Sequence, residues 1–267
     1  MRDYEDKETA YFQTPRREML AFIPAGVTSI LEIGCGTGAF GALAKRQLGC
    51  RYVGVELFES AAAEARPRLD EVHVLDVQTS ELPFSPAAFD CLVCNDVLEH
   101  LVDPWAVLKT LKTFVRPGGF IVSSIPNVRF SEVVKDLVFR KRWEYRDQGV
   151  LDRTHLRFFT EHSIRALMES AGAEVVQLKG INAIDYAWRL RLLNTLLLGA
   201  LDEPDFAEST AKLVGASLVR PRPGSPATPS SRPWPAPDPS AVIGWRSASA
   251  PMASRLSMMP TTPIPNP

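Results

Sequence analysis

Along most of the chain, short continuous apolar runs alternate with segments whose apolar positions recur at helical spacing. "SILEIG" is such a run, closed by glycine, and "GAFGALAKRQLG" follows with Phe40, Leu43, Ala44 and Leu48 on one helical face. "RYVGVEL", "ESAAAEARPRL" and "EVHVLDV" then read as strand, helix and strand. "FDCLVCND" and "GGFIVSSIPN" are further strands around the helix "PWAVLKTLKTFV", which has proline at its start and "RPGG" as its stop. Continuous apolar strands linked by helices predict a parallel sheet covered on both faces, because each parallel pair needs a crossover. The predicted class is doubly wound α/β. In such sheets ligands bind beyond the carboxyl ends of the strands, here the loops after Ile33, Val55, Leu75 and Cys94.

From Pro221 the pattern stops, and proline, serine and alanine dominate with no sustained apolar period. Such a segment cannot offset its chain entropy by burial, so residues 221–267 are expected to form a disordered tail after a folded unit of residues 1–220. "SRPWPAPDP" within it offers at most a weak proline-rich contact to a partner. The balance of 30 basic against 31 acidic residues creates no field that would recruit nucleic acid, and "RKRWEYR" is only a local basic cluster. The polar start "MRDYEDKETAYF" does not resemble a signal peptide, and no stretch has the length of a membrane span. A cytoplasmic, soluble protein is expected. The C-x-x-C pair Cys91 and Cys94 lies in an apolar strand, where residues three apart face opposite sides, so it reads as core and no metal-ligand set is expected.

"LEIGCGTG" holds three glycines at alternate positions between the first strand and helix. A P-loop is excluded, because no Lys-Ser or Lys-Thr follows. A dinucleotide fingerprint is formally met by Gly34, Gly36 and Ala39, with Glu56 ending the second strand. Glu56 suits ribose hydroxyls of either a dinucleotide or another nucleoside cofactor and does not separate them. Glu32, just before the glycines, favours a ligand with a cationic group over a pyrophosphate.

"LEIGCGTG", "VGVEL", "VLDVQTSELPF", "FDCLVCNDVLEHLVDP" and "VRPGGFIVSSIPN" together resemble, in order and spacing, the motifs of class I S-adenosylmethionine-dependent methyltransferases, over about residues 28–180. The resemblance implies a mostly parallel seven-stranded sheet with helices on both faces, whose final antiparallel strand would be "KLVGASLVRP". It also implies S-adenosylmethionine as cofactor. Gly34, Gly36 and Gly38 would pass its amino-acid end, with Glu32 behind them. Glu56 would hold the ribose, Asp76 and Val77 the adenine edge, and Leu57 its ring, while Asn95 and Val97 would line the methionine portion. His100 matches a common Glu-His of the family, although the sequence places it inside a helix, where a structural histidine reads equally well.

Residues 1–27 form an N-terminal cap in this reading, in which Tyr11 faces substrate and Arg16 or Arg17 pairs with the methionine carboxylate. An insertion at about residues 126–160 forms the substrate pocket, and "WRLRLLNTLLLGALDEP" is an apolar helix able to cap it. "LDRTHLRFFT" resembles a motif of small-molecule methyltransferases from glycan and natural-product assembly. A hydroxyl acceptor must lose its proton during attack, which calls for a base with a pKa near operating pH. His73 is expected before a buried strand and His162 at a helix start, which leaves His155, with Asp152 orienting it or acting instead. Asn127, Arg129 and Arg157 are the candidate contacts to a polar small-molecule acceptor. A nitrogen or carbon acceptor, an NAD-dependent oxidoreductase and a non-catalytic cofactor-binding module stand as alternatives, and oligomeric state is left open.

Overall fold

The computed structural model describes residues 16–181, together with the backbone of residues 213–214 and 218–221. Tyr11, the apolar segment after residue 187 and the expected tail beyond Pro221 lie outside the described residues. Nine strands are described: β1 Ser29–Ile33, β2 Arg51–Glu56, β3 Glu71–Val74, β4 Phe89–Asn95, β5 Val115–Ser124, β6 Ala173–Gln177, β7 Gly180–Ile181, β8 Leu213–Val214 and β9 Leu218–Pro221. Five parallel strands run in the order β3-β2-β1-β4-β5, and β9 joins β5 and β6 in antiparallel pairing to extend this sheet to seven strands. "KLVGASLVRP" thus divides, since β8 pairs with β7 outside the main sheet while β9 enters it.

Among the described residues five α-helices connect the strands: α1 Ala39–Leu48, α2 Glu59–Ala65, α3 Pro104–Lys112, α4 Ser131–Arg140 and α5 Glu161–Ser170. Their ends follow local chemistry. α1 stops at Gly49, which takes the left-handed conformation that glycine adopts without a side-chain clash. α2 stops before Pro67, which has no N–H for the next helical bond. Asp103 caps α3 by accepting from the Ala106 amide at 3.0 Å, with Pro104 in the first turn. A reciprocal Thr160–Ser163 capping box starts α5.

Strand alternation divides the core into two faces. Leu31, Ile33, Val53, Val55, Leu92 and Cys94 pack with Leu108 and Leu111 of α3 and Ile164, Leu167 and Met168 of α5. Ile30, Tyr52, Cys91 and Val93 pack on the other side with Phe40 and Ala44 of α1, Ala65 of α2, and Met19 and Phe22 of a 3-10 helix, Arg17–Phe22. Cys91 and Cys94 therefore face opposite layers, as the alternation predicts, and both are free buried thiols.

Several expectations change. His73 lies within β3, a half-buried edge strand, and contacts Glu71 at 2.7 Å, so it neither precedes the strand nor meets a buried one. His100 ends a three-residue 3-10 turn, Leu98–His100, because the chain turns into Leu101 with extended backbone. "RPGG" falls inside β5 as a bulge: Val115 pairs with Phe89, but the next partner of β4 is Phe120. Finally, α4 lies in the insertion read only as pocket-forming. Its Val133, Val134, Leu137 and Val138 recur at helical spacing, yet only Val133 is buried, while Val134, Leu137, Val138 and Phe139 are exposed.

Candidate cofactor and active site

The parallel register sets Glu32 beside Gly54 and Val93, and Ile33 beside Val55 and Cys94, so the ends of β1, β2 and β4 are level. β3 ends next to Glu56, its Val74 paired with that residue. The glycine loop, Glu56, Asp76 and Asn95 thereby leave the same edge of the sheet. All ten residues predicted for the cofactor come from these strand ends and the loops that follow them.

Gly34, Gly36 and Gly38 all take positive φ, and the amides of Gly34 and Cys35 donate to the Val55 carbonyl at 2.8 and 3.1 Å. A side chain at Gly34 would place its Cβ 2.5 Å from a methyl of Val97, the residue predicted across the methionine end. Glu56 accepts from the Gly36 amide at 2.8 Å, and from the Leu57 and Phe58 amides at 2.8 and 3.2 Å. A carboxylate has about four acceptor sites, so three amides leave room for a hydroxyl. Burial raises the Glu56 pKa, and the three amides oppose the rise.

Glu32 is nearly inaccessible and accepts from the Tyr52 hydroxyl at 3.0 Å and from the Asn95 amide at 3.4 Å. Burial pushes its pKa up to about 8, and the charge of Glu56 adds to the rise. Asn95 keeps its carbonyl oxygen buried and without a hydrogen-bond partner, an acceptor that an incoming donor would satisfy. An orphaned acceptor, two buried carboxylates and a loop that excludes side chains fit a cationic ligand carrying a ribose, and therefore fit S-adenosylmethionine. Glu32, Asn95 and the glycine loop would take its amino-acid end and Glu56 its ribose.

Asp76 accepts from the Gln78 amide at 2.9 Å, and its carbonyl accepts from Ser80, which holds the following turn. Val77 is half-buried and Leu57 is exposed. Arg16 forms an ion pair with Asp96 and donates from Nε to Glu18 at 2.8 Å. Sequence reasoning passed over Tyr52 and Asp96. The signal for Tyr52 was its hydroxyl in a buried strand, which requires an internal partner. A cavity of about 350 Å³ is lined by Arg17, Leu20, Ala21, Leu43 and Gln47, and of the predicted site residues it includes Arg17 alone.

The substrate-side residues separate. Asn127 is fully buried, and its side chain accepts from the Arg129 amide at 2.9 Å while its neighbour Val128 donates to Phe159. It ties the start of the insertion to its end. The Arg157 guanidinium donates to the Val102 carbonyl and lies 5.9 Å from the Trp105 ring, which directs it toward the α3 surface. Arg129 is half-buried. Asp152 is buried and accepts from the Thr154 amide and hydroxyl at 2.9 and 2.7 Å. His155 is buried next to it, with Nδ1 donating to the Val150 carbonyl at 2.9 Å and its ring 4.7 Å from that of His100. The amides of Leu156 and Arg157 both donate to the Glu99 carbonyl at 2.9 Å, so the insertion docks directly behind β4.

The sequence profile described as a methyltransferase domain matches residues 5–178, and the chain belongs to that family of S-adenosylmethionine-dependent proteins. It is 30% identical over 115 residues to a ubiquinone biosynthesis O-methyltransferase of Albidiferax ferrireducens, covering 39% of this chain and 43% of that one. A protein of the same description from Dinoroseobacter shibae is 30% identical over 169 residues, 60% of this chain and 66% of the relative. The matches span roughly half the length of these relatives. Among solved structures, an S-adenosylmethionine-dependent methyltransferase of Archaeoglobus fulgidus superposes with a TM-score of 0.59 at 14% identity, over 80% of this chain and 95% of that one. That likeness concerns the fold. Among the described residues no helix is long and apolar enough to cross a membrane.

Proposed function

We propose that this protein transfers a methyl group from S-adenosylmethionine to a hydroxyl oxygen of a small molecule, with a sugar or secondary metabolite as the acceptor class. The observation that carries the cofactor half is the pair of buried carboxylates, Glu32 and Glu56, on either side of a glycine loop beside the orphaned carbonyl of Asn95. A pyrophosphate would oppose the ionisation of these acids, whereas a cation with a ribose favours the charged form of Glu32 and meets its acceptors. The Asp76 turn and Leu57 would serve the adenine.

The cofactor supplies an activated sulfonium methyl, so the protein mainly has to align an acceptor and exclude water. Oxygen as the acceptor atom is supported by the relatives named for ubiquinone O-methylation, and the sugar or metabolite class by "LDRTHLRFFT". Deprotonation falls to the insertion. Because Nδ1 of His155 donates to a carbonyl, its Nε2 holds the lone pair and is the basic atom. Asp152, already bonded to Thr154, acts by positioning the turn that carries His155. Arg129 is the acceptor contact this geometry favours over Asn127 and Arg157.

Calorimetric titration of the full chain with S-adenosylmethionine and with NADH tests the first half. Binding of the former alone is expected, and NADH binding alone would overturn the reading. A panel of hydroxyl and amine acceptors with isotope-labelled methyl donor then reads the second half. His155→Ala is expected to lower transfer to a hydroxyl by about 10²–10⁴-fold with cofactor affinity unchanged; undiminished transfer would remove His155 as the base.

A further inference from the structure

Glu99 presents a problem that the cofactor site does not solve. Its side chain is wholly buried and neither carboxylate oxygen meets a side-chain hydrogen-bond donor, so that its own backbone amide and the charge of Arg16 are the groups that favour its ionised form against burial and the charge of Asp152. A buried carboxyl left in this state is costly, and natural structures resolve it with a partner charge or a metal. Burial pushes its pKa up to about 8.

Its neighbours are two imidazoles of defined tautomer. Nδ1 of His100 lies 3.0 Å from the Thr154 carbonyl and Nδ1 of His155 lies 2.9 Å from the Val150 carbonyl, and a carbonyl accepts only from a protonated nitrogen. In its neutral form each ring therefore carries its lone pair on Nε2. This is the arrangement of metal-binding histidines, whose second nitrogen is commonly anchored on a backbone carbonyl. Nε2 of His155 stands 4.0 Å from a Glu99 oxygen, and one ligand atom from each of Glu99, His100 and His155 lies within 4.8 Å of the others. Ligand atoms around a tetrahedral zinc are about 3.3 Å apart, so a contraction of up to about 1.5 Å would close the set.

We propose that Glu99, His100 and His155 form a binding site for one first-row divalent cation of the zinc class. Two imidazoles and one carboxylate favour such an ion over magnesium, which prefers all-oxygen sets. Three protein ligands leave a coordination position open to water or to an acceptor oxygen. The bound ion would also cross-link the turn after β4 to the insertion. In the loaded site the lone pair of His155 would be held by the ion, which would lower the pKa of a coordinated hydroxyl so that its proton could pass to solvent water. That last point rests on the methyl-transfer reading, whereas the cation site stands without it.

The test uses the untagged full chain, stripped with a chelator and titrated with Zn²⁺, Co²⁺ and Mg²⁺ by calorimetry. One equivalent of Zn²⁺ and of Co²⁺ is expected, with far weaker Mg²⁺ binding. The Co²⁺ complex should show visible bands of a nitrogen–oxygen ligand set. Glu99→Gln and His155→Gln are each expected to weaken Zn²⁺ binding more than about 100-fold, since even outer partners of metal ligands cost about 10- to 100-fold. His100→Gln, at the half-buried member, supplies the same reading if the buried variants fail to fold. Zn²⁺ should raise the melting temperature of the wild type and not that of a folded variant. Absence of stoichiometric binding, unchanged affinity in folded variants, or a thiolate-to-cobalt charge-transfer band would overturn the site.

Discussion

Replacing Glu32 with glutamine is expected to stabilise the cofactor-free protein above about pH 8 and to flatten its stability profile between about pH 4.5 and 8. The buried carboxyl titrates at about 8, against 4.5 for an ordinary glutamate. Between those values the unfolded chain releases a proton that the folded protein retains, so stability falls as pH rises. The contribution is complete below the lower value and lost as pH passes through the upper one. Glutamine has no proton to lose and keeps an oxygen for the Tyr52 hydroxyl. At about 1.4 kcal/mol per unit, the difference above pH 8 is on the order of a few kcal/mol. Urea denaturation across this range reads it, and a slope equal to that of the wild type would assign the titration elsewhere. Under the proposed function, affinity for S-adenosylmethionine rises with pH through this window in the wild type and stays flat in Glu32→Gln.

Gly34→Ala is expected to cost about 2–4 kcal/mol and to weaken cofactor binding. Two effects contribute. At φ +70° an alanine is strained, and its Cβ would meet the Val97 methyl at 2.5 Å. Val97→Ala in the same chain should return the steric part and leave the backbone part, which separates them. Gly38→Ala is milder, because the nearest atoms to its Cβ are at 3.1 Å. Denaturation midpoints and calorimetric titration check the series; a Gly34→Ala protein with wild-type stability and affinity would show that the loop tolerates a side chain there.

What could be read from the sequence was whatever one element carries by itself. The alternation of strands and helices, the glycine loop and the acids at the ends of β2 and β3 each lie within a few residues of a recognisable pattern. Contacts between distant segments were not legible. Glu32 and Tyr52 meet because β1 and β2 are in register, and Arg16 reaches Asp96 across the fold. The encounter of Glu99 with His155 depends on the insertion folding back behind β4, which no local periodicity encodes. The helical spacing of Val133, Val134, Leu137 and Val138 does mark α4, but that spacing could not say which face is buried, and only Val133 is.

The four cysteines have a practical consequence. Each is buried, and burial lifts the pKa of every thiol, so no reactive thiolate faces solvent in the folded state. Cys91 and Cys94 point into opposite layers and cannot form a bridge with each other while β4 keeps its shape. A thiol-specific reagent added to the native protein would therefore reach Cys91 and Cys94 only as fast as the sheet opens. The molecule carries its own clock for unfolding, with no label to engineer.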